Sequence, residues 1–170
     1  MRAADFDRLY AEHAQPLFGF LAYRLGDRVQ AEDLLADTFE RALRSRGRFD
    51  RRRGSEKSWL YSIALNLLRD QQRRHGAERR ALERVDAGTE VAAVDPALEG
   101  AERRTQLAPA LAALADEERE ALALRFGADL TVPEIARVLR EPLTTIEGRV
   151  YRGLRKLRAE MVAGDLGAEE

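Results

Sequence analysis

The stretch TVPEIARVLREPLTTIEGRVYRGLRKLR, residues 131–158, decides how the chain is read. Thr131 followed three residues later by Glu134 is a capping-box pattern, and Pro133 is tolerated in a first helical turn. The short helix this opens is expected to stop at Arg140-Glu141-Pro142, which makes a tight turn. A longer helix is expected from about Leu143 to Met161, with Leu143, Ile146, Val150, Leu154 and Leu157 on one apolar stripe. Arg149, Arg152, Arg155, Lys156 and Arg158 lie off that stripe. Short helix, turn and second amphipathic helix make the helix-turn-helix plan, whose second helix enters the DNA major groove with its N-terminal residues facing base edges. Here those are Thr144, Thr145, Glu147 and Gly148, with Arg149 and Arg152 next along. Hydroxyls contact phosphate or bases, glutamate accepts from the cytosine amino group, and arginine grips phosphate or guanine. The competing reading is an ordinary helical hairpin, with Thr144 and Glu147 as a capping box. Pro142 opposes that box, because proline favours the first helical position and would start the helix earlier.

Upstream of this stretch, LAPALAAL (107–114) and DEEREALALRFG (116–127) are helical, with Asp116 as expected N-cap and Gly127 as expected C-cap. At the other end of the chain, a first helix is expected from Asp5 as N-cap, ended by Gly26-Asp27. A second follows from about Arg28, capped by Asp27, with Val29, Leu34, Leu35, Phe39, Ala42 and Leu43 apolar. RSRGRFDRRRGSEKS (44–58) breaks the pattern and reads as a basic loop. A third helix begins near Ser55 and runs through WLYSIALNLLRDQQRR (59–74), where Trp59, Ile63, Asn66, Leu67 and Asp70 fall three and four apart. Residues 76–100 hold Gly76, Gly88, Pro96 and Gly100 with weak periodicity, a linker with a helical fragment around Arg79 to Val85. No strand-like alternation occurs. The expected fold is all-α, in two small helical domains (1–75 and 107–161) joined by a flexible linker (76–106). A short acidic tail (162–170) follows, too short for an added regulatory domain.

Composition agrees. Apolar residues make up 45% and charged residues 35% of 170, a globular balance. With no cysteine, disulfides, thiolate metal sites and cysteine nucleophiles are excluded. The N-terminus carries no signal-peptide core and no segment has 18 uninterrupted apolar residues, so a cytoplasmic protein without membrane insertion is expected. The net charge of −1 hides strong segregation. Residues 44–80 hold twelve Lys/Arg against four Asp/Glu, and residues 147–158 hold five against one, whereas 81–106 hold three against six. Two basic faces joined by an acidic connector suit a protein that meets nucleic acid in two places. One such face is the third helix, whose starting aromatics and terminal Arg69, Arg73 and Arg74 could serve unpaired DNA: rings take unstacked bases and arginines track the backbone. Taken alone, Trp59 and Tyr61 fit core positions better than base platforms.

Taken together, these segments resemble a bacterial RNA polymerase sigma factor of the extracytoplasmic-function (ECF) group, in the sigma-70 family. AEDLLADTFERAL (31–43) resembles the polymerase-binding helix of the first sigma domain, and WLYSIALNLLRDQQRR the segment that meets the promoter −10 element. DPALE (95–99), LAALADEEREALALRF (111–126) and LTVPEIARVLREPLTTIEGRVYRGLRKLR (130–158) resemble the second domain, with its −35-reading helix-turn-helix. The resemblance implies that Asp33, Leu34, Asp37 and Arg41 meet the polymerase coiled coil. It implies that the loop from Arg48 through Lys57 and Ser58 to Trp59 receives a flipped −10 base. Asn66, Arg69, Arg73 and Arg74 would contact the upstream part of that element, and Thr144, Thr145, Glu147, Arg149 and Arg152 the −35 element. The implied partners are core RNA polymerase, promoter DNA and an anti-sigma factor; no cofactor is implied. The chain departs from the common pattern at Ala36, where glutamine is frequent, Leu65 (arginine), Ala115 (proline) and Glu147-Gly148 (lysine-serine).

Enzyme readings find little support. His13 and His75 have no ligand-spaced partner, and Asp33 with Asp37 is an isolated carboxylate pair. No Gly-Lys-Ser/Thr phosphate loop is present, so strand opening would be driven by binding alone. Two other classes remain as alternatives: a helix-turn-helix regulator that acts without polymerase, and a helical adaptor with no DNA role.

Overall fold

The computed structural model describes the backbone of residues 3–82 and 110–166, and the side chains of 5–74 and 110–162. The chain divides into two compact units, Met1–Asp95 and Pro96–Glu170. Every regular element among the described residues is helical.

In the first unit, α1 (Ala3–Leu25) starts two residues before the expected Asp5 cap, which places Asp5 inside the first turn. Gly26 ends it at φ +66°, its N–H bonded to Ala22 O at 2.9 Å, a left-handed position that glycine adopts without a Cβ clash. Asp27 then caps α2 (Arg28–Ser45) as expected: its Oδ1 accepts from the N–H of Val29 at 2.8 Å and of Gln30 at 3.1 Å. These bonds, led by that from Gln30, hold the Asp27 carboxyl below its ordinary pKa. A 3₁₀ turn (Arg46–Arg48) leads into the basic segment, where Asp50 Oδ1 accepts from Arg52 N–H at 3.0 Å. Ser55 caps α3 by accepting from Ser58 N–H at 3.1 Å. α3 (Glu56–Leu82) runs past the expected end at 74. The fragment expected around 79–85 is, as far as Leu82, its last turns; Val85 lies outside the described residues.

Leu9, Leu17 and Leu21 of α1, Ala31, Leu34, Phe39 and Ala42 of α2, and Leu60, Tyr61, Ala64, Leu65 and Leu68 of α3 form the core. Each fully buried leucine contributes roughly 1.5–3 kcal/mol. Phe20 meets Tyr61 edge to face at 5.4 Å. The buried face of α3 is therefore not the Trp59–Asp70 stripe but the one beside it. Val29 and Leu43, expected on the apolar face of α2, are exposed.

In the second unit, α4 spans Asp116–Leu122, and its N-cap is Ala115 where Asp116 was expected. Alanine has no acceptor, so the cap is one-sided: Glu118 Oε2 accepts from Ala115 N–H at 3.2 Å. The helix then widens into a π turn, Ala123–Gly127, closed by Ala128 N–H to Ala123 O at 3.0 Å. Gly127 is thus inside that turn, and the left-handed residue is Asp129, at φ +50°. α5 (Val132–Leu139) carries the predicted capping box in full, with Thr131 N–H to Glu134 Oε2 at 2.9 Å and Glu134 N–H to Thr131 Oγ1 at 3.4 Å. α6 covers Leu143–Leu166. Residues 83–109 and 167–170 lie outside the description, and with them the DPALE segment and the end of the tail.

Candidate nucleic-acid interface

The turn between α5 and α6 is built by backbone bonds. Arg140 N–H reaches Arg137 O at 3.3 Å and Glu141 N–H reaches Ala136 O at 3.0 Å, the paired bonds of a Schellman motif. Its left-handed residue is Arg140, at φ +59°, a position that favours glycine. Pro142 follows as N-cap of α6, its carbonyl accepting from Thr145 N–H at 3.1 Å. Thr144 and Glu147 therefore stand at the second and fifth helical positions. The capping box weighed for them does not form, and Glu147 is an exposed side chain on the helix surface.

The inner face of α6 passes through Ile146, Arg149, Gly153 and Lys156, so the predicted stripe is buried only in part, with Val150 and Leu157 half-buried. Ile146 is fully buried, but Leu143 and Leu154 are each 42% exposed. The reason is Gly153: a Cβ there would lie 2.8 Å from Leu122 Cδ1, so only glycine lets α6 approach α4 this closely. Two carboxylates fasten this face. Arg149 donates to Glu141 at 2.8 Å, and its side chain is only 16% exposed. Glu118, buried on α4, accepts from Lys156 Nζ at 2.7 Å and lies 3.5 Å from Arg152 Nε. The bond from Lys156, then that from Ala115 N–H, holds the Glu118 carboxyl below its ordinary pKa against the opposing effect of burial. The Arg152 guanidinium folds back over Gly148, where a Cβ would stand 3.0 Å from one of its nitrogens.

Of the five residues predicted here, Thr144 and Glu147 are exposed and Thr145 half-buried at the N-terminal edge of α6, whereas Arg149 and Arg152 are engaged within the unit. The outward face continues through Tyr151, 68% exposed, and Arg155. Neither was assigned to the −35 contact from sequence, although both follow Thr144 and Glu147 at three- and four-residue steps.

In the first unit, a groove of about 570 Å³ runs between α2 and α3. It brings Asp33, Leu34, Asp37 and Arg41 of α2 together with Asn66 and Arg74 of α3. Ile63, Leu67 and Asp70, which with Asn66 make up the three-and-four stripe beyond Trp59, line it too. Leu34 is otherwise buried in the core, while Asp33, Asp37 and Arg41 are exposed. Gln71 donates to Gln30 at 3.2 Å, and Gln30 to Asp27 at 3.0 Å, a relay that ties the cap of α2 to α3. Arg69 is half-buried, and exposed Arg73 pairs with Asp70.

The remaining predicted residues sit at the start of α3, about 22 Å from Arg74 at the helical rise. Trp59 is half-buried and meets Phe49 at 5.2 Å. Ser58 is buried, and its hydroxyl donates to Ser55 O at 3.0 Å, so it completes the cap. Arg48 is exposed and Lys57 half-buried. Beside them Phe49, Arg51, Gly54, Ser55 and Glu56 line a hollow of about 340 Å³. Glu56 accepts from Arg8 at 2.9 Å and from Arg51 at 3.4 Å, which pins the basic loop to α1. Next to this cluster, half-buried His13 has a lowered pKa, chiefly through desolvation. Leu65 is fully buried, so that departure from the common pattern concerns packing.

No group of three or more metal-ligating side chains and no helix long and apolar enough to cross a membrane occurs among the described residues. The family model for Sigma-70 region 2 matches residues 9–78, and that for Sigma-70 region 4 matches residues 110–159. The ECF sigma factor SigX of Bacillus subtilis is 30% identical, over 92% of this chain and 83% of its own length. The sigma factor CarQ of Myxococcus xanthus is 34% identical, over 90% and 87%. The ECF sigma factor BldN of Streptomyces coelicolor is 34% identical over 91% of this chain, which spans 60% of BldN. Among solved structures, the sigma factor RpoE of Bartonella quintana, in complex with the anti-sigma factor NepR, superposes with a TM-score of 0.75 at 25% identity. That match covers 92% of this chain and 96% of RpoE. CnrH, in complex with the cytosolic domain of CnrY, gives 0.63 at 28% identity, over 95% and 90%. The chain belongs to the sigma-70 family, in its ECF group. It is a sigma factor, which recognises promoters and takes part in initiation by RNA polymerase; it is not an enzyme.

Proposed function

We propose that the two units divide promoter recognition between them, the first meeting core polymerase and the −10 element and the second the −35 element. The observation that carries this is the α2–α3 groove, which places Asp33, Asp37 and Arg41 against Asn66 and Arg74. One wall offers charge to a protein partner and the other offers an amide and a guanidinium to a DNA strand. Leu34 supports the first wall from the core. Trp59, with Phe49, Arg48 and Lys57, flanks the hollow that takes an unpaired −10 base, and Ser58 shapes that end of α3. Arg69, Arg73 and Arg74 follow the backbone upstream. Stacking of captured bases offsets the few kcal/mol that unstacking each one costs.

In the second unit, Thr144, Thr145 and Glu147 face the −35 base edges. Arg149 steadies that edge through Glu141, and Arg152 lies beside Glu118. The protein acts in the cytoplasm, where its polymerase is, and an anti-sigma factor holds it inactive. The solved relative RpoE, in complex with the anti-sigma factor NepR, supports that last assignment.

The test is capture of core polymerase by the tagged chain. Replacing Asp33 and Asp37 together by alanine is expected to weaken capture at least tenfold, the effect of losing about 1.4 kcal/mol. Undiminished capture would place the polymerase contact elsewhere.

A further inference from the structure

The cations of α6 are not equally available. Of Arg149, Arg152, Arg155, Lys156 and Arg158, three lie against acids of their own unit: Arg149 against Glu141, and Arg152 and Lys156 against Glu118. Glu118 is the more consequential acid. Its side chain is 6% exposed, it lies on α4, and it draws two cations of one helix toward the α4 side. Gly148 leaves room for this arrangement, since a Cβ there would stand 3.0 Å from an Arg152 guanidinium nitrogen.

We infer that Glu118 is an affinity-setting residue for DNA: a built-in counter-ion that withholds Arg152 and Lys156 from phosphate. This rests on α6 being the DNA-facing helix, as proposed above. A protein cation already neutralised by a protein carboxylate releases little from the ion atmosphere of DNA, so it adds little to affinity or to its salt dependence. The free chain then grips non-specific DNA weakly, and the reading falls to the uncharged edge Thr144–Thr145 and to Glu147. A near-neutral subunit of this kind depends on the polymerase assembly for stable DNA binding.

The test is fluorescence anisotropy of a labelled duplex of arbitrary sequence, titrated with the full chain over a range of KCl concentrations. Four proteins are compared: wild type, Glu118→Gln, Lys156→Met and the double variant, each checked for helicity by circular dichroism. Freeing two cations should make Glu118→Gln bind more tightly, with the log–log salt slope steeper by about one to two. Lys156→Met alone should leave the slope unchanged, yet in the Glu118→Gln background it should remove about one. A folded Glu118→Gln chain with the wild-type slope would overturn the inference. So would a Lys156→Met chain whose slope is already shallower by about one, since Lys156 would then be on DNA in the wild type. Should Glu118→Gln fail to fold, the Lys156→Met slope alone decides in the same two directions. A wild-type chain with no salt-dependent binding at all would instead remove the DNA-facing reading of α6, and this inference with it.

Discussion

Tyr61 shows how a residue in a functional segment can serve the core. It lies in the stretch that resembles a −10 reader, yet it is 1% exposed and packs on Phe20. Its buried hydroxyl has no hydrogen-bond partner among the described residues, and burial pushes its pKa up to about 12. Tyr61→Phe removes a polar group that gains nothing from folding, so thermal unfolding should shift upward by about 1 kcal/mol with transcription unchanged. Arg140 is a second residue whose backbone opposes its identity. Arg140→Gly should stabilise the second unit by roughly 0.5–1 kcal/mol, read as a higher denaturant midpoint, because glycine adopts the left-handed turn without strain. Glu147 is the residue whose reading changed most. As a cap it would have been interchangeable with any N-terminal acceptor. Exposed in the second turn of α6, it is an acceptor where a lysine would donate. Little in the local sequence separated those roles: only Pro142 did, by capping a helix that starts at Leu143, ahead of Thr144.

At the level of elements, the helices and most of their caps were legible because each rule is local. Asp27, Ser55 and the Thr131–Glu134 box act on backbone within three residues. What was not legible is which side of a helix faces inward, since that depends on a partner distant in sequence. α6 carries a leucine stripe that a helical wheel turns inward, but the contact with α4 is centred on Gly153. Gly153→Leu should therefore force the helices apart, costing about 1–3 kcal/mol and abolishing −35 selectivity while α3 stays intact. Glu118 belongs to this contact and gives it a pH dependence. Its folded pKa is lowered, so its stabilisation is present above the ordinary value of 4.5 and is lost as pH falls through the lowered one. Acid unfolding of the second unit, followed by circular dichroism, should become less steep in Glu118→Gln below that value.

For the molecule as a whole, the order of segments identified the family more firmly than any one of them did. A helix-turn-helix alone fits many regulators, and an aromatic-led basic helix alone fits a core. The candidate site was legible as a set of segments but less so as a set of side chains. Arg149, Arg152 and Ser58 looked available in sequence and are engaged by neighbours in space. Tyr151 and Arg155 looked incidental and are exposed. Asp33, Asp37, Asn66 and Arg74 came from two separate motifs and line one groove. Division of labour between the units is the central claim, and it is tested most directly by transcription from a template library. Core polymerase with this chain would transcribe linear templates randomised at the −35 and −10 windows, and the enriched windows would be sequenced for wild type, Glu147→Lys and Asn66→Ala. The account predicts that Glu147→Lys changes the preferred bases only in the −35 window and Asn66→Ala only in the −10 window. A Glu147→Lys protein that shifts the −10 preference, or leaves both windows as in the wild type, would contradict it.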